Sequence, residues 1–383
     1  MVDMSWSPTR LYVGHGVADS VISSLVRGRV TLIVTDAFNA FRTATLQAHL
    51  QSGMVVIDGP TLGSIERIYH EIGMRSPGAI VAVGGGTVMD SAKLAFAVAA
   101  SGRSFTQFRR VLQCGGEHAT RRDLRRSGGI VVAVPTTVGT ASEVSPIACV
   151  TTADGHRLVS GDDLRPDFAV IDSTHFDSLS GRKVRDGAYE ILLRIAAVAI
   201  STTASPLTRR RAVDLGERIV RACIQLAEEE APDARTDIAL IGAESKTSFT
   251  GFSSDPHAIY HWYFANELAH AGALSKVEAT SALAPTIWRL LEQGHLRLGD
   301  QDALRAFWST MRRMLPLESS RASEWISAFA QYLSIVPPKI TAKLASRAAD
   351  SCIRAWGGSN MALADWDAVS IRALYEETLV SNS

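Results

Sequence analysis

Apolar and polar positions follow two rhythms along this chain, and the rhythm changes near residue 175. Before that point, short apolar or β-branched runs at 11–13, 30–35, 54–57, 78–83, 129–134, 149–152 and 168–171 read as strands. Helical spacing occupies 40–50, 62–72 and 87–100 between them. Strands separated by helices of this length predict a parallel sheet with helices on both faces. After residue 176 the strand pattern stops. A 3.6-residue period predicts helices over 184–202, 206–230, 233–248, 256–273, 277–293, 302–314, 324–335, 341–356 and 365–379. The expected architecture is an α/β domain over 1–175 and an all-helical domain over 176–383, with ligands in the cleft between them.

The stretch 81–93, VAVGGGTVMDSAK, runs from a buried strand through three glycines into a helix. Glycine lets a backbone approach a phosphate, and the free N–H groups of a helix start favour an anion. Gly84, Gly85 and Gly86 are therefore candidate anion-site residues. Thr87 is expected to cap the helix, with Asp90 in its first turn. A plain tight turn would also use three glycines. A second hydroxyl-rich segment, Pro135-Thr-Thr-Val-Gly-Thr-Ala-Ser-Glu-Val144, follows the strand at 129–134. Hydroxyls and amides at the carboxyl end of a buried strand suit phosphate, ribose or nicotinamide contacts.

The stretch 101–129 is different in texture. Arg103, Arg109, Arg110, Arg121, Arg122, Arg125 and Arg126 crowd into it. It reads either as a solvated loop or hairpin, or as a basic lip that recruits a carboxylate or an acidic peptide.

Composition narrows the class. The chain of 383 residues exceeds one typical core, and 39 basic against 39 acidic residues argue against a dedicated nucleic-acid or membrane-surface protein. Cys114, Cys149, Cys223 and Cys352 have no metal-ligand spacing, which suggests reduced thiols in the cytoplasm. The N-terminus, MVDMSWSPTR, lacks a signal-peptide pattern. The expectation is a cytoplasmic enzyme.

Three features together resemble the superfamily of iron-containing alcohol dehydrogenases and dehydroquinate synthases. GGGTVMDSAK is similar to that family's GGGSxxDxAK, PTTVGTASEVSP to its PTTAGTGSEVTP, and Val34-Thr-Asp36 to its strand-ending acid. The resemblance is strong over about residues 10–210 and weak beyond. It implies the dehydroquinate synthase-like fold and a dinucleotide cofactor. Gly84, Gly85, Gly86 and Asp90 would then sit at the pyrophosphate, and Thr136, Thr137 and Ser142 along the phosphates and nicotinamide. Asp36 would take the adenosine ribose hydroxyls, and a carboxylate there favours NAD over NADP. A homodimer or larger assembly is also implied.

The family's metal site is where the match breaks. Its alcohol dehydrogenases use an Asp, a His one helical turn later, and two further histidines. Ser201-Thr-Thr-Ala-Ser-Pro206-Leu-Thr resembles the family's STxANPLT and fixes the register, placing Glu190 at the Asp and Arg194 at the first His. FANELAHAGAL resembles HAxAHxLG, with Asn266 at the ligand and His270 at the non-ligand histidine; Lys276 falls near the last ligand. Arginine, asparagine and lysine are poor ligands for Zn or Fe.

One reading is a metal-free site. In it Arg194 and Lys276 hold a substrate carboxylate or a developing alkoxide, and His270 moves a proton. The other reading is a relocated Zn or Fe site built from Glu190, His257 and His261, because histidines at i and i+4 share a helix face. A simple ion pair between Arg194 and Glu190 is the structural alternative.

These residues imply an NAD-dependent dehydrogenase acting on a secondary alcohol or its ketone, on a small-molecule or peptide substrate with an anionic group. The altered ligand set and the basic stretch suggest a specialised branch. The dehydrogenases of daptide-type peptide biosynthesis would suit: they oxidise a C-terminal threonine, and the β-keto acid formed loses CO₂. Two other readings stay open. Gly187–Glu190 fits the GxxE of a sugar-phosphate cyclase of the dehydroquinate synthase type, and a degenerate scaffold is the non-enzymatic case.

Overall fold

Alternating burial along each strand builds the first half of the molecule. In the computed structural model, Leu32 and Val34 face one helical layer, while Ile33 between them faces the other. The same alternation separates Ile80 and Ala82 from Val81 and Val83, and Val131 and Ala133 from Val132 and Val134. A strand buried on both faces reads as a continuous apolar run, which is what the sequence carries there. The structure describes residues 9–114, 118–120, 129–153, 155–229, 232–247, 260–357 and 363–381. Contacts divide the described chain into two units after Leu179.

In the first unit the elements run β1 (Arg10–Gly14), α1 (Ala18–Leu25), β2 (Thr31–Asp36), α2 (Ala40–Leu50), β3 (Gly53–Ile57) and α3 (Leu62–Arg75). Then come β4 (Ala79–Gly84), α4 (Gly86–Ala100), α5 (Phe105–Cys114), β5 (His118–Thr120) and β6 (Ile130–Pro135). β7 (Ile147–Thr152), β8 (Gly155–Ser160) and β9 (Phe168–Asp172) complete it. Six strands form one parallel sheet in the order β1-β9-β6-β4-β2-β3, and β5, β8 and β7 form a small second sheet. α1 and α2 pack on one face of the large sheet; α3, α4 and α5 pack on the other.

Three elements depart from the sequence expectation. α1 has no cap of its own; the N–H groups of Gly16 and Ala18 instead donate to Asp172, both at 2.8 Å. The stretch expected to be loop or hairpin contains α5, whose Phe105, Phe108 and Leu112 recur at helical spacing and are buried. Arg109 on that helix pairs with Glu66 at 2.7 Å, so it is committed within the unit. Arg121, Arg122, Arg125 and Arg126 lie outside the described residues. β8, which the sequence reading passed over, pairs antiparallel with β7.

The second unit is helical: α6 (Gly181–Ile200), α7 (Pro206–Glu229), α8 (Pro232–Thr247), α9 (Tyr260–Gly272) and α10 (Lys276–Glu292) lead it. α11 (Gln301–Met314), α12 (Ala322–Tyr332), α13 (Ala342–Trp356) and α14 (Ala368–Ser381) follow. Caps start several of them. Ser180 accepts from the Lys183 N–H, and Ser275 with Glu278 forms a reciprocal capping box. Glu267, fully buried on α9, accepts from Ser351 Oγ at 2.5 Å and Trp356 Nε1 at 2.9 Å on α13. Among the described residues no helix is long and apolar enough to cross a membrane.

Candidate functional site

β2, β4 and β6 are neighbours in the sheet and run parallel, so their carboxyl ends lie side by side. Thr35 is in register with Val83, and Gly84 with Pro135. That register gathers Asp36, the three glycines and Thr136 at one edge. From β2 the chain moves outward to β3 and then back to β4, so the strand order reverses at this place. Such a reversal is where open parallel sheets bind ligands.

The turn is built for close approach. α4 begins at Gly86 with Gly85 as its N-cap residue and no side-chain cap. Thr87 is therefore inside the first turn and does not cap, contrary to the sequence expectation. The N–H groups of Val88 and Met89 donate to the Gly85 carbonyl, while those of Gly86 and Thr87 have no hydrogen bond among the described residues. A Cβ on Gly84 would stand 2.6 Å from Val88 Cγ2, on Gly85 3.0 Å from Thr137 Oγ1, and on Gly86 2.8 Å from Thr140 Cγ2. The glycines are required by crowding and not by left-handed backbone. Two free donors at a helix start, over glycines, suit a pyrophosphate.

Asp36 ends β2 partly exposed. Its Oδ1 accepts from the Asn39 N–H and Nδ2, each at 2.9 Å, and Asn39 Nδ2 also reaches Thr136 Oγ1 at 3.3 Å. Asn39, absent from the sequence reading, thus ties the acid to the hydroxyl loop; the TDAFN string, an acid three residues before an Asn, was the available signal. Thr137 is partly exposed, and Thr136 is buried.

Asp90 and Ser142 have another task than the one expected of them. Ser142 Oγ donates to Asp90 Oδ1 at 2.5 Å, and Cys149 N–H donates to Asp90 Oδ2 at 2.9 Å. Lys93, only 1% exposed, donates to Ser142 Oγ at 2.9 Å and to the carbonyls of Ser142 and Ser145 at 3.2 Å. It also pairs with Asp90 at 2.9 Å. Ser142 is buried with both roles of its hydroxyl in use, so it fastens the loop to α4 and does not line the open edge.

In the helical unit, α6 carries Glu190 and Arg194, α9 carries His261, Asn266 and His270, and Lys276 opens α10. Glu190 is 8% exposed and has no hydrogen bond or ion pair among the described residues. Burial raises its pKa, against the lowering charges of Lys276 and Arg194. The i, i+4 ion pair with Arg194 does not form. Arg194, 5% exposed, donates from Nη1 to Ser245 Oγ at 3.1 Å, and Ser245 Oγ donates to the Gly242 carbonyl at 2.6 Å.

Lys276 stands over the Trp262 ring at 5.5 Å, and that ring lies 4.8 Å from His261. Burial, with a smaller effect from Arg194, depresses His261 to about 3. Its Nε2 is buried and unpartnered among the described residues. Asn266, 1% exposed, leaves Oδ1 in the same condition. His270 lies in the last turn of α9.

These residues test poorly as a metal centre. Arginine, asparagine and lysine stand at the positions that the resemblance assigns to ligands. Among the described residues no three His, Cys, Asp or Glu side chains group as a metal site. The relocated set keeps Glu190 and His261, with His257 outside the described residues. The charge of Arg194 acts on both remaining members and opposes a second cation.

A sequence model of the family "Iron-containing alcohol dehydrogenase" matches residues 8–173. That match lies within the α/β unit and covers less than half of the chain. A phosphonoacetaldehyde reductase of Streptomyces viridochromogenes is 32% identical over 196 residues, 50% of this chain and 48% of the relative. The match thus spans about half that relative's length. An archaeal halo-thermophilic alcohol dehydrogenase from a Red Sea brine pool superposes with TM-score 0.81 at 16% identity, covering 98% of each chain. The sulfoacetaldehyde reductase of Bifidobacterium kashiwanohense, solved with NAD⁺, gives 0.75 at 15% identity, covering 99% of each. At such identities the likeness to iron-containing alcohol dehydrogenases of known structure is one of fold.

Proposed function

We propose that this chain is an NAD-dependent oxidoreductase that interconverts an alcohol and its carbonyl on a substrate bearing an anionic group. The uncapped glycine turn beside Asp36 carries the reading: two free N–H donors for a pyrophosphate and a carboxylate for ribose hydroxyls, on adjacent strand ends. NAD, when bound, supplies the hydride acceptor, or the donor in reverse. Gly84, Gly85 and Gly86 admit the phosphates, and Thr136 and Thr137 border them. Asp36, steadied by Asn39, accepts from the ribose and repels a 2′-phosphate. Asp90, Lys93 and Ser142 hold the two cofactor segments together.

The anionic substrate is supported by the cations in the helical unit and by the phosphono and sulfo aldehydes in the relatives' names. A finer reading is oxidation of a peptide's C-terminal threonine. The carbinol loses a hydride to NAD⁺ and a proton to water, and the β-keto acid then releases CO₂. Incubation with NAD⁺ and a threonine-ending peptide is expected to give NADH at 340 nm and loss of the elements of formic acid in the mass spectrum. A peptide of unchanged mass retires the threonine reading. The oxidoreductase reading fails if the protein binds no NADH in calorimetry. Net consumption of NAD⁺ separates it from a cyclase, which regenerates its cofactor in each cycle.

A further inference from the structure

We propose that a cavity of about 220 Å³ in the helical unit, where α10, α11 and α12 meet, binds a small oxyanion through Arg305 and Arg321. Arg305 and Trp308 of α11, Ser320 and Arg321 at the entry to α12, and Glu292 at the end of α10 are among its lining residues. The cavity shares no residue with the strand ends, α6 or α9, so it stands apart from the oxidoreductase reading.

Glu292 is the single acid in that lining, and both of its oxygens are engaged. Oε1 accepts from the Ala322 N–H and Oε2 from Ser323 Oγ, each at 2.6 Å. The N-cap residue of α12, Arg321, makes no side-chain cap, so Glu292 serves as one and its charge answers the positive end of that helix. The two arginines are held less firmly. Arg305 pairs with Asp302 at 2.8 Å and Arg321 with Glu324 at 3.3 Å, each three positions away and largely exposed. Glu324 also accepts from the Ser320 N–H at 2.7 Å and Oγ at 2.8 Å. Water screens exposed pairs of this kind, so they hold a guanidinium weakly. An oxyanion in the cavity replaces them with bidentate contacts, which are stronger.

Trp308 supplies an independent sign. Its Nε1–H is buried and has no acceptor among the described residues. Trp325 and Trp356, by contrast, donate to the Leu315 carbonyl at 3.1 Å and to Glu267 at 2.9 Å. An indole N–H can only donate, and a buried donor left unmet is costly. Arg312, 5.4 Å over the Trp308 ring, adds a further cation to that helix. Guanidinium groups and an indole N–H offer donors alone, which favours a carboxylate or a phosphate. The volume is below the range of about 300–1,000 Å³ usual for larger ligands. It suits a small di-acid or inorganic phosphate and excludes a nucleotide.

The test is calorimetric titration of succinate, and separately of inorganic phosphate, into the full-length protein saturated with NADH, which keeps phosphate out of the glycine turn. One equivalent of at least one of them is expected to bind. Phosphate alone points to an inorganic oxyanion, and succinate alone to a carboxylate metabolite. Arg305→Met and Arg321→Met are each expected to weaken binding by about tenfold or more. Trp308→Phe, which keeps a ring and removes the N–H, should weaken it about fivefold. Arg305 and Arg321 are exposed, so their variants fold, and NADH affinity should be unchanged in both. Arg297→Met, at an exposed arginine outside the cavity, should leave binding as in wild type. No binding of either anion at millimolar concentration overturns the proposal. So does an affinity that Arg305→Met and Arg321→Met leave unaltered, or an equal loss in Arg297→Met. If NADH does not bind, the oxidoreductase reading falls, and the same variants titrated with succinate alone still decide the oxyanion site.

Discussion

Lys93 Nζ lies 2.9 Å from Ser142 Oγ, forty-nine positions along the chain, and the pair joins the helix after the glycine turn to the hydroxyl loop. Asp90 closes the triangle by accepting from Ser142 and pairing with Lys93. The acid and the lysine of the DxxK string thus work inside the unit, behind the surface they shape.

Removing the lysine leaves a mostly buried carboxylate, its side chain 15% exposed, without its cation, which costs up to about 3 kcal/mol. Lys93→Met is expected to lower the urea midpoint accordingly. It should also weaken NADH binding, read by fluorescence, because Thr136 and Thr137 ride on the loop that is released. A variant with the wild-type midpoint would show that the triangle contributes nothing.

Two neighbours in that loop occupy left-handed backbone: Gly139 at φ 112 and Ala141 at φ 54. The family motif quoted above has glycine at both places. Gly139→Ala is expected to cost about 2 kcal/mol, as side chains strongly disfavour that region. Ala141→Gly relieves about 1 kcal/mol of left-handed strain. It also removes a buried methyl worth about 0.8 kcal/mol, so the net change should be near zero. Equal losses in both variants, measured by denaturant unfolding, would contradict this account.

Asp172 links stability to pH. Burial by itself raises its proton affinity, but hydrogen bonds from Ala18, Thr174 and Gly16 outweigh that and bring the pKa below the ordinary 3.8. The stabilisation is therefore complete above the unfolded value and lost as pH falls through the lower, folded value. Asp172→Asn is expected to cost about 2 kcal/mol at neutral pH. Its unfolding free energy should then decline less steeply than wild type below about pH 4. Parallel declines in the two proteins would remove Asp172 from the acid response.

Strand positions were readable because double-sided burial leaves continuous apolar runs, as at Leu32–Val34 and Val131–Val134. Helices with local caps, such as α10 with Ser275 and Glu278, were equally legible. α1 was not, because the group that caps it is far away in sequence. α5 was obscured by its arginines, although the spacing of Phe105, Phe108 and Leu112 was there to be counted. In the candidate site, residue types and motifs pointed to strand ends that the sheet order brings side by side. They could not tell that Ser142 and Asp90 would face each other, since a hydroxyl beside a carboxylate is a matter of tertiary distance. Glu190 and Arg194 were one turn apart, yet Arg194 turned to Ser245 on another helix.

The borrowed cap of α1 has a consequence for the order of assembly. In the large sheet β1 has β9 as its single neighbour among the described residues, and Ala18 finds its acceptor 154 positions later. During synthesis, β1 lacks its sheet neighbour and α1 its acceptor until nearly the whole α/β unit has followed them. Through that interval the edge of β1 is open to the wrong partner.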